Sequence, residues 1–208
     1  MSDLFRIAID GPGGAGKSTI AKIVARELNM IYVDTGAMYR AIAYKVSRVI
    51  NCKAAEYSDT TEDGATNKEI EKIVADMTID VEGDDVYVDG ESVGDKIRTP
   101  EVSMMASKIS KLPFVREKLG NLQREIAGSK NVVMDGRDIG SNIIKDAELK
   151  IYLTASADVR AMRRANQLRE QGKEADYRTI LEDIEARDYQ DMTRALNPLV
   201  KTDDAIEL

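Results

Sequence analysis

The sequence predicts an α/β fold: a P-loop parallel β-sheet core flanked by helices, with a small antiparallel β insertion and a short helical lid. Three observations lead there. Apolar runs of strand length alternate with stretches of helical apolar spacing along most of the chain. A glycine-rich motif opens directly after the first apolar run. Between about residues 66 and 95 the apolar period changes to two, with turn residues between the runs.

The first apolar run is Leu4-Phe5-Arg6-Ile7-Ala8-Ile9, and the motif is Gly11-Pro12-Gly13-Gly14-Ala15-Gly16-Lys17-Ser18-Thr19. It fits G-x-x-x-x-G-K-[ST], the phosphate-binding P-loop. Ile20, Ile23, Val24 and Leu28 follow at helical spacing and predict one apolar helix face. The order strand, glycine turn, helix suits phosphate. Glycines let successive N–H groups point inward, and a helix N-terminus adds unpaired N–H groups and partial positive charge. Lys17 would reach the β- and γ-phosphates, and the Ser18 hydroxyl would hold Mg²⁺.

Met30–Val33 reads as a second buried strand. Thr35 is placed to cap the following helix, which carries Ala41, Ile42, Val46 and Val49. Tyr39 and Arg40 then sit in its first turns, at a strand end where open α/β sheets bind ligands. For Arg40 a solvated helix charge is an equal reading. Residues 51 to 66 are polar, with Asp59, Glu62, Asp63 and Gly64 in a loop, and Ile70, Ile73 and Val74 mark a short helix. Met77–Val81, Val86–Val88 and Glu91–Val93 predict a meander, turning at Glu82-Gly83-Asp84-Asp85 and at Asp89-Gly90.

Thr99-Pro100 opens a helix as cap and first residue, with Val102, Met105, Ile109 and Leu112 inside. The Met104-Met105 pair reads as core filler. After Pro113 a second helix runs to about Ala127, burying Val115, Leu119, Leu122 and Ile126 and ended by Gly128. Ser107 and Arg116 flank the Pro113 bend. Asn131–Met134 is a third buried strand, ending in Asp135-Gly136-Arg137-Asp138-Ile139-Gly140. Asp135 stands where an aspartate of the Walker-B type would orient Mg²⁺ or its waters; a surface Asp–Arg pair is the plain alternative. Glu148–Thr154 is a fourth strand. Helices over about Ala157–Glu170, ended by Gly172, and Tyr177–Met192 follow, the latter with Ile180, Leu181, Ile184 and Ala186 inside. Arg160 and Arg164 share a face of the first; Arg187, Asp191 and Arg194, spaced four and three apart, would share a face of the second if that helix continues so far. Such an Arg-bearing pair is either a solvated surface or a lid over nucleotide phosphates. Asp204–Leu208 is strand-like.

Composition narrows the function classes. The chain has 208 residues and a net charge of -7, which argues against a nucleic-acid polymer as ligand. Of its 30 basic residues half are Arg, the better reader of phosphate. Without His there is no Ser-His-Asp triad and no His-metal catalyst. A phosphate monoester acceptor, already ionised at neutral pH, needs no general base. Cys52 is single, which excludes an internal disulfide and a Cys-rich metal site. With no basic-then-apolar leader and no bilayer-spanning apolar run, the expectation is a cytoplasmic protein free of the membrane.

The ordered set G-P-G-G-A-G-K-S-T, D-T-G-A-M-Y-R, I-R-T-P-E-V, D-G-R-D-I-G and R-D-x-x-D-x-x-R resembles the bacterial cytidylate kinase family of nucleoside monophosphate kinases, from about Phe5 to Leu208. The resemblance implies a core of about residues 1–36, 114–156 and 190–208, a nucleotide-acceptor region of about 37–113 carrying the β insertion, and a lid of about 157–189. It implies transfer of the γ-phosphoryl of ATP to CMP or dCMP with Mg²⁺, by a protein that analogy makes a monomer. Carried over residue by residue, Arg40, Arg137 and Arg194 would grip the acceptor phosphate. Ser107, Arg116 and Asp138 would read cytosine, and Arg187 and Asp191 would hold the sugar. Arg160 and Arg164 would contact ATP from the lid, Thr35 and Tyr39 would line the acceptor side, and Lys17, Arg137 and Arg194 would serve catalysis. Closure over both substrates would exclude water, so ATP hydrolysis without acceptor should be slow. Members of that family continue past the last strand with a helix. The runners-up are another small P-loop kinase, acting on shikimate, gluconate or AMP, and a nucleotide-binding regulatory protein without turnover. No N-K-x-D motif supports a GTPase.

Overall fold

Ile7, Ala8 and Ile9 are almost wholly buried because β1 (Arg6–Asp10) has a strand on each side and side chains on both faces. In the computed structural model, which describes residues 4–50, 64–82 and 85–208, β1 pairs in parallel with β6 (Val132–Gly136) and β7 (Leu149–Tyr152). Ile9 stands opposite Asp135 on one side and Ile151 on the other. With β2 (Ile31–Asp34) and β8 (Ile206–Glu207) the sheet order is β2-β6-β1-β7-β8. A sheet of this kind, covered on both faces, explains why its inner strands read as continuous apolar runs. Their C-terminal ends bring Asp10, Asp135 and Gly136 to one edge, where the P-loop begins.

The chain divides into two compact units, Met1–Ile31 with Lys130–Leu208, and Tyr32–Ser129. In the first, α1 (Lys17–Glu27) packs on β1 and β6, and α6 (Ala157–Glu170) packs on α7 (Tyr177–Thr193). The expected face of α1 is corrected. Ile20, Ile23 and Leu28 are exposed, and Ala21 and Ala25 are buried instead. Small side chains let the helix approach the strands closely, so the largest residues are not the inward ones. Along α7, Ile180, Leu181 and Ile184 are half-buried, and Ala186 is exposed, against expectation.

Arg6 fastens the start of β1 to the turn before β7. Its guanidinium donates to Glu148 Oε1 at 2.7 Å and pairs with Asp146 Oδ2 at 3.1 Å. These hydrogen bonds hold the Glu148 carboxyl at about 2, below its ordinary 4.5. A depressed carboxyl stabilises the fold above its unfolded pKa, and that contribution is lost as pH falls from 4.5 towards 2. Glu148→Gln should therefore cost about 1 kcal/mol at pH 7, given the partial exposure of the pair. Denaturant unfolding at pH 6 and pH 3.5 should give a smaller difference from wild type at the lower pH; a constant gap would refute the pairing.

In the second unit, α2 (Thr35–Ile50) packs on α4 (Pro100–Ile109), and Met38, Ile42, Met105 and Ile109 form its centre. The cap of α2 is Asp34, whose Oδ1 accepts from Ala37 N–H at 2.8 Å; Thr35 is already helical and buried. Thr99 caps α4 as expected, accepting from Val102 N–H at 3.2 Å with Pro100 in first position. Met105 is core, whereas Met104 is half exposed. Helix α5 (Pro113–Ser129) runs past Gly128 and buries Gln123 beside Val115 and Leu119, leaving Leu122 and Ile126 half-buried. Its Gln123 Nε2 lies 3.8 Å from Met38 Sδ.

Helix α3 (Gly64–Asp76) precedes an antiparallel sheet of β3 (Ile79–Glu82), β4 (Asp85–Val88) and β5 (Glu91–Ser92). Asp89 and Gly90 have φ of 52° and 79°, the left-handed pair that a two-residue hairpin turn needs. Lys45 Nζ on α2 reaches Asp89 Oδ2 at 2.7 Å and holds that carboxyl below the usual range. Residues 51–63, with Cys52, and Gly83-Asp84 lie outside the described residues, and Gly64, expected in the loop, begins α3 instead.

Candidate active site

The P-loop is built by β1 handing over to α1. Gly11 has φ 146°, and a Cβ there would lie 2.0 Å from the Leu153 carbonyl oxygen, so only glycine fits beside the end of β7. Gly16, at φ 99°, precedes the first helical turn. Pro12, the second residue of the loop, has no N–H to give to a phosphate. Its carbonyl instead accepts from Lys17 Nζ at 2.7 Å and so holds the lysine against the loop. Lys17 is buried, and desolvation together with the nearby Arg137 guanidinium pulls its ammonium well below the usual lysine range. Ser18 Oγ donates to Asp135 Oδ2 at 2.8 Å, which joins the P-loop helix to the end of β6.

Three guanidiniums meet this loop. A Cβ on Gly13 would lie 3.3 Å from Arg137 Nη2 and 3.9 Å from Arg187 Cδ. Arg160 Nη1 donates to the Gly13 carbonyl at 3.0 Å and to Asp188 Oδ1 at 3.1 Å, and its Nε donates to the Ala155 carbonyl at 2.8 Å. Arg137 is oriented by Asp191: Nε donates to Oδ2 at 2.8 Å. Arg194 Nη2 donates to Asp138 Oδ1 at 2.9 Å, and its Nη1 lies 3.8 Å from Asp191 Oδ1. Arg137, Asp191, Arg194 and Asp138 thus alternate in one array, its two carboxylates buried, while buried Arg160 forms a separate pair with Asp188 on the same loop. Such an array keeps several cations close together on a loop built for anions, because each has a carboxylate to offset its neighbours.

The sequence-predicted residues divide between the two units. Lys17, Ser18, Asp135, Arg137, Asp138, Arg160, Arg187, Asp191 and Arg194 lie in the first, with the P-loop. The structure separates Arg164 from Arg160: Arg164 is exposed and donates to Gln167 Oε1 at 2.8 Å on its own helix. Thr35, Tyr39, Arg40, Ser107 and Arg116 lie in the second unit. There Arg40 Nη2 pairs with Asp34 Oδ2 at 3.0 Å. Arg116 is buried, with its guanidinium carbon 5.9 Å from the centre of the Tyr39 ring, and it donates to the Ser110 carbonyl at 3.2 Å. Asp188 and Asp34 stand inside the quoted motifs R-D-x-x-D-x-x-R and D-T-G-A-M-Y-R, but sequence reasoning gave neither a role, and each proves to be the partner of an Arg it had singled out. A carboxylate one residue after Arg187, and one closing an apolar strand, were the available signals.

The oxygens of Ser18 and Asp135 suit a hard divalent cation. Among the described residues there is no cluster of three or more acidic, Cys or His ligands, so these two would leave coordination positions to water and phosphate, as Mg²⁺ prefers. The described residues also contain no helix long and apolar enough to cross a membrane.

The cytidylate kinase family model matches residues 7–208. A cytidylate kinase of Caldicellulosiruptor saccharolyticus is 52% identical over 203 residues, covering 97% of this chain and 86% of that one. Those of Desulfitobacterium hafniense and Lactobacillus johnsonii are 48% and 47% identical, each over 100% of this chain and 86% and 87% of theirs. A solved shikimate kinase from Bacteroides thetaiotaomicron aligns over 89% of this chain and 77% of that one at 19% identity and a TM-score of 0.40, too loose a likeness to add to the assignment. With a P-loop, an Arg-rich array beside it and near-full-length relatives at this identity, the chain belongs to the cytidylate kinase family.

Proposed function

We propose that the protein transfers the γ-phosphoryl group of ATP to a phosphate oxygen of CMP, and of dCMP, yielding ADP and CDP or dCDP. Membership of the family supports the reaction, and the observation that carries the residue roles is the array of Arg137, Arg194, Asp138 and Asp191 beside the P-loop. Two polyanions must meet for the transfer, so the chain's main task is to bring positive charge to one place without a general base.

In this reading the P-loop amides and Lys17 hold the donor phosphates. Arg137 and Arg194, with Arg40, grip the acceptor phosphate, whose ionised oxygen is the nucleophile. That oxygen forms the new P–O bond as the bond between the γ-phosphorus and the β–γ bridging oxygen breaks, and ADP leaves. Ser18 and Asp135 would hold Mg²⁺, which supplies charge neutralisation across the donor phosphates. Asp138 accepts from the cytosine amino group, Ser107 and Arg116 complete the base contacts, and Arg187 and Asp191 hold the sugar. Thr35 and Tyr39 line the acceptor side, Arg160 steadies the loop, and residues 157–189 act as the lid.

Product identification tests this. Protein, ATP, Mg²⁺ and CMP, resolved by anion-exchange chromatography, should give CDP and ADP in equal amounts and neither after chelation of Mg²⁺. ADP accumulating without CDP would contradict the transfer.

A further inference from the structure

A carboxylate closes β1. Asp10 directly precedes Gly11 and is only 6% exposed. A buried carboxylate needs donors, and Asp10 has one on each oxygen: Ile139 N–H donates to Oδ1 at 2.9 Å and Gly140 N–H to Oδ2 at 2.8 Å. Gly140 leaves room for this, since a Cβ there would lie 3.4 Å from Asp10 Oδ2 and 3.1 Å from Lys150 Cδ. The two amides begin the π-helical turn Ile139–Ile143, whose cap is Asp138. Within that turn Asn142 Nδ2 donates to Asp138 Oδ2 at 3.0 Å, while Arg194 occupies Oδ1. A line of contacts therefore runs from the root of the P-loop to the carboxylate of Asp138.

We propose that Asp10 and Asn142 are positioning residues for the acceptor side of the reaction. Asp10 ties the π-turn to the P-loop, and Asn142 sets which way the Asp138 carboxylate points. This rests on Asp138 meeting the acceptor's base, as read above. An isolated π-turn is a rare and loosely bonded conformation, so its place depends on what grips it from outside. Both oxygens of Asp10 are used as acceptors. An asparagine in place of Asp10 would turn its NH₂ towards one of the two amides and lose that grip. Because the same residue ends the strand that launches the P-loop, donor loop and acceptor-reading turn keep one spacing.

Steady-state kinetics of Asp10→Asn and Asn142→Ala test the assignment, with CMP, UMP and ATP each varied. CDP formation by the wild type measures the functional reading separately from the comparison of variants. Each variant should raise KM for CMP about tenfold and reduce the CMP-over-UMP preference by a similar factor, the size of one lost buried hydrogen bond. KM for ATP should stay within about twofold, whereas general damage to the fold would move both substrates and leave base preference alone. A folded variant with wild-type KM for CMP and wild-type base preference would overturn the role of the residue replaced. Asn142 is half-buried, so Asn142→Ala decides its own role whatever becomes of Asp10→Asn, and Asp10→Glu, which keeps two acceptor oxygens but shifts them by one methylene, decides the role of Asp10 by the same readouts should Asp10→Asn fail to fold.

Discussion

Replacing Lys17 by Ala is expected to lower kcat for CMP phosphorylation by about a thousandfold while the protein stays folded. The two halves of that expectation have one physical cause. The Lys17 ammonium is buried beside the Arg137 guanidinium, an arrangement that opposes folding and is useful only when phosphate charge is present. Removing it deletes charge that the transferring phosphoryl group needs, and it relieves a like-charge contact in the fold. Arg137→Ala should act in the same direction, since Arg137 is held by Asp191 with its Nη2 over Gly13. Circular dichroism and a thermal melt should match wild type or exceed it. A Lys17→Ala enzyme within about tenfold of wild-type kcat would refute the role, because a single oriented charge at such a centre is worth more than that.

Asp138→Asn should lower kcat/KM for CMP by about a hundredfold and bring CMP and UMP close to parity. Cytosine presents an amino donor at N4, and uracil presents a carbonyl acceptor at O4. An ionised Asp138 accepts from the first and faces a lone pair on the second. Its carboxylate is already oriented by Arg194 on Oδ1 and Asn142 on Oδ2, both donors. An amide in place of that carboxylate must turn its NH₂ towards one of them, so the exchange disturbs orientation as well as charge. Measured kcat/KM ratios for the two acceptors check it; a variant that keeps the wild-type preference would remove Asp138 from base recognition.

Strand, glycine turn and helix were legible because their signals are local. The P-loop motif, the Thr99-Pro100 start of α4 and the Asp89-Gly90 hairpin are each specified by neighbouring residues. The buried face of α1 was not, because size suggests Ile20, Ile23 and Leu28 as inward, whereas close packing on the strands selects Ala21 and Ala25. The array beside the P-loop was legible only as a list of residue types. Arg137 finds Asp191 across 54 positions, and Arg160 finds Asp188 across 28, pairings that no periodicity announces. The π-turn after Asp138 reads in sequence as an ordinary charged glycine turn, and its geometry emerges only once Asp10 holds it.

The most direct test of the central claim is ADP production in a coupled assay with ATP and Mg²⁺, with CMP, dCMP, UMP, AMP or shikimate supplied separately. Turnover with CMP and dCMP, and little with the other three, is the expected result. Turnover with shikimate or AMP in preference to CMP would contradict the account, and so would silence with every acceptor from a protein that still binds ATP.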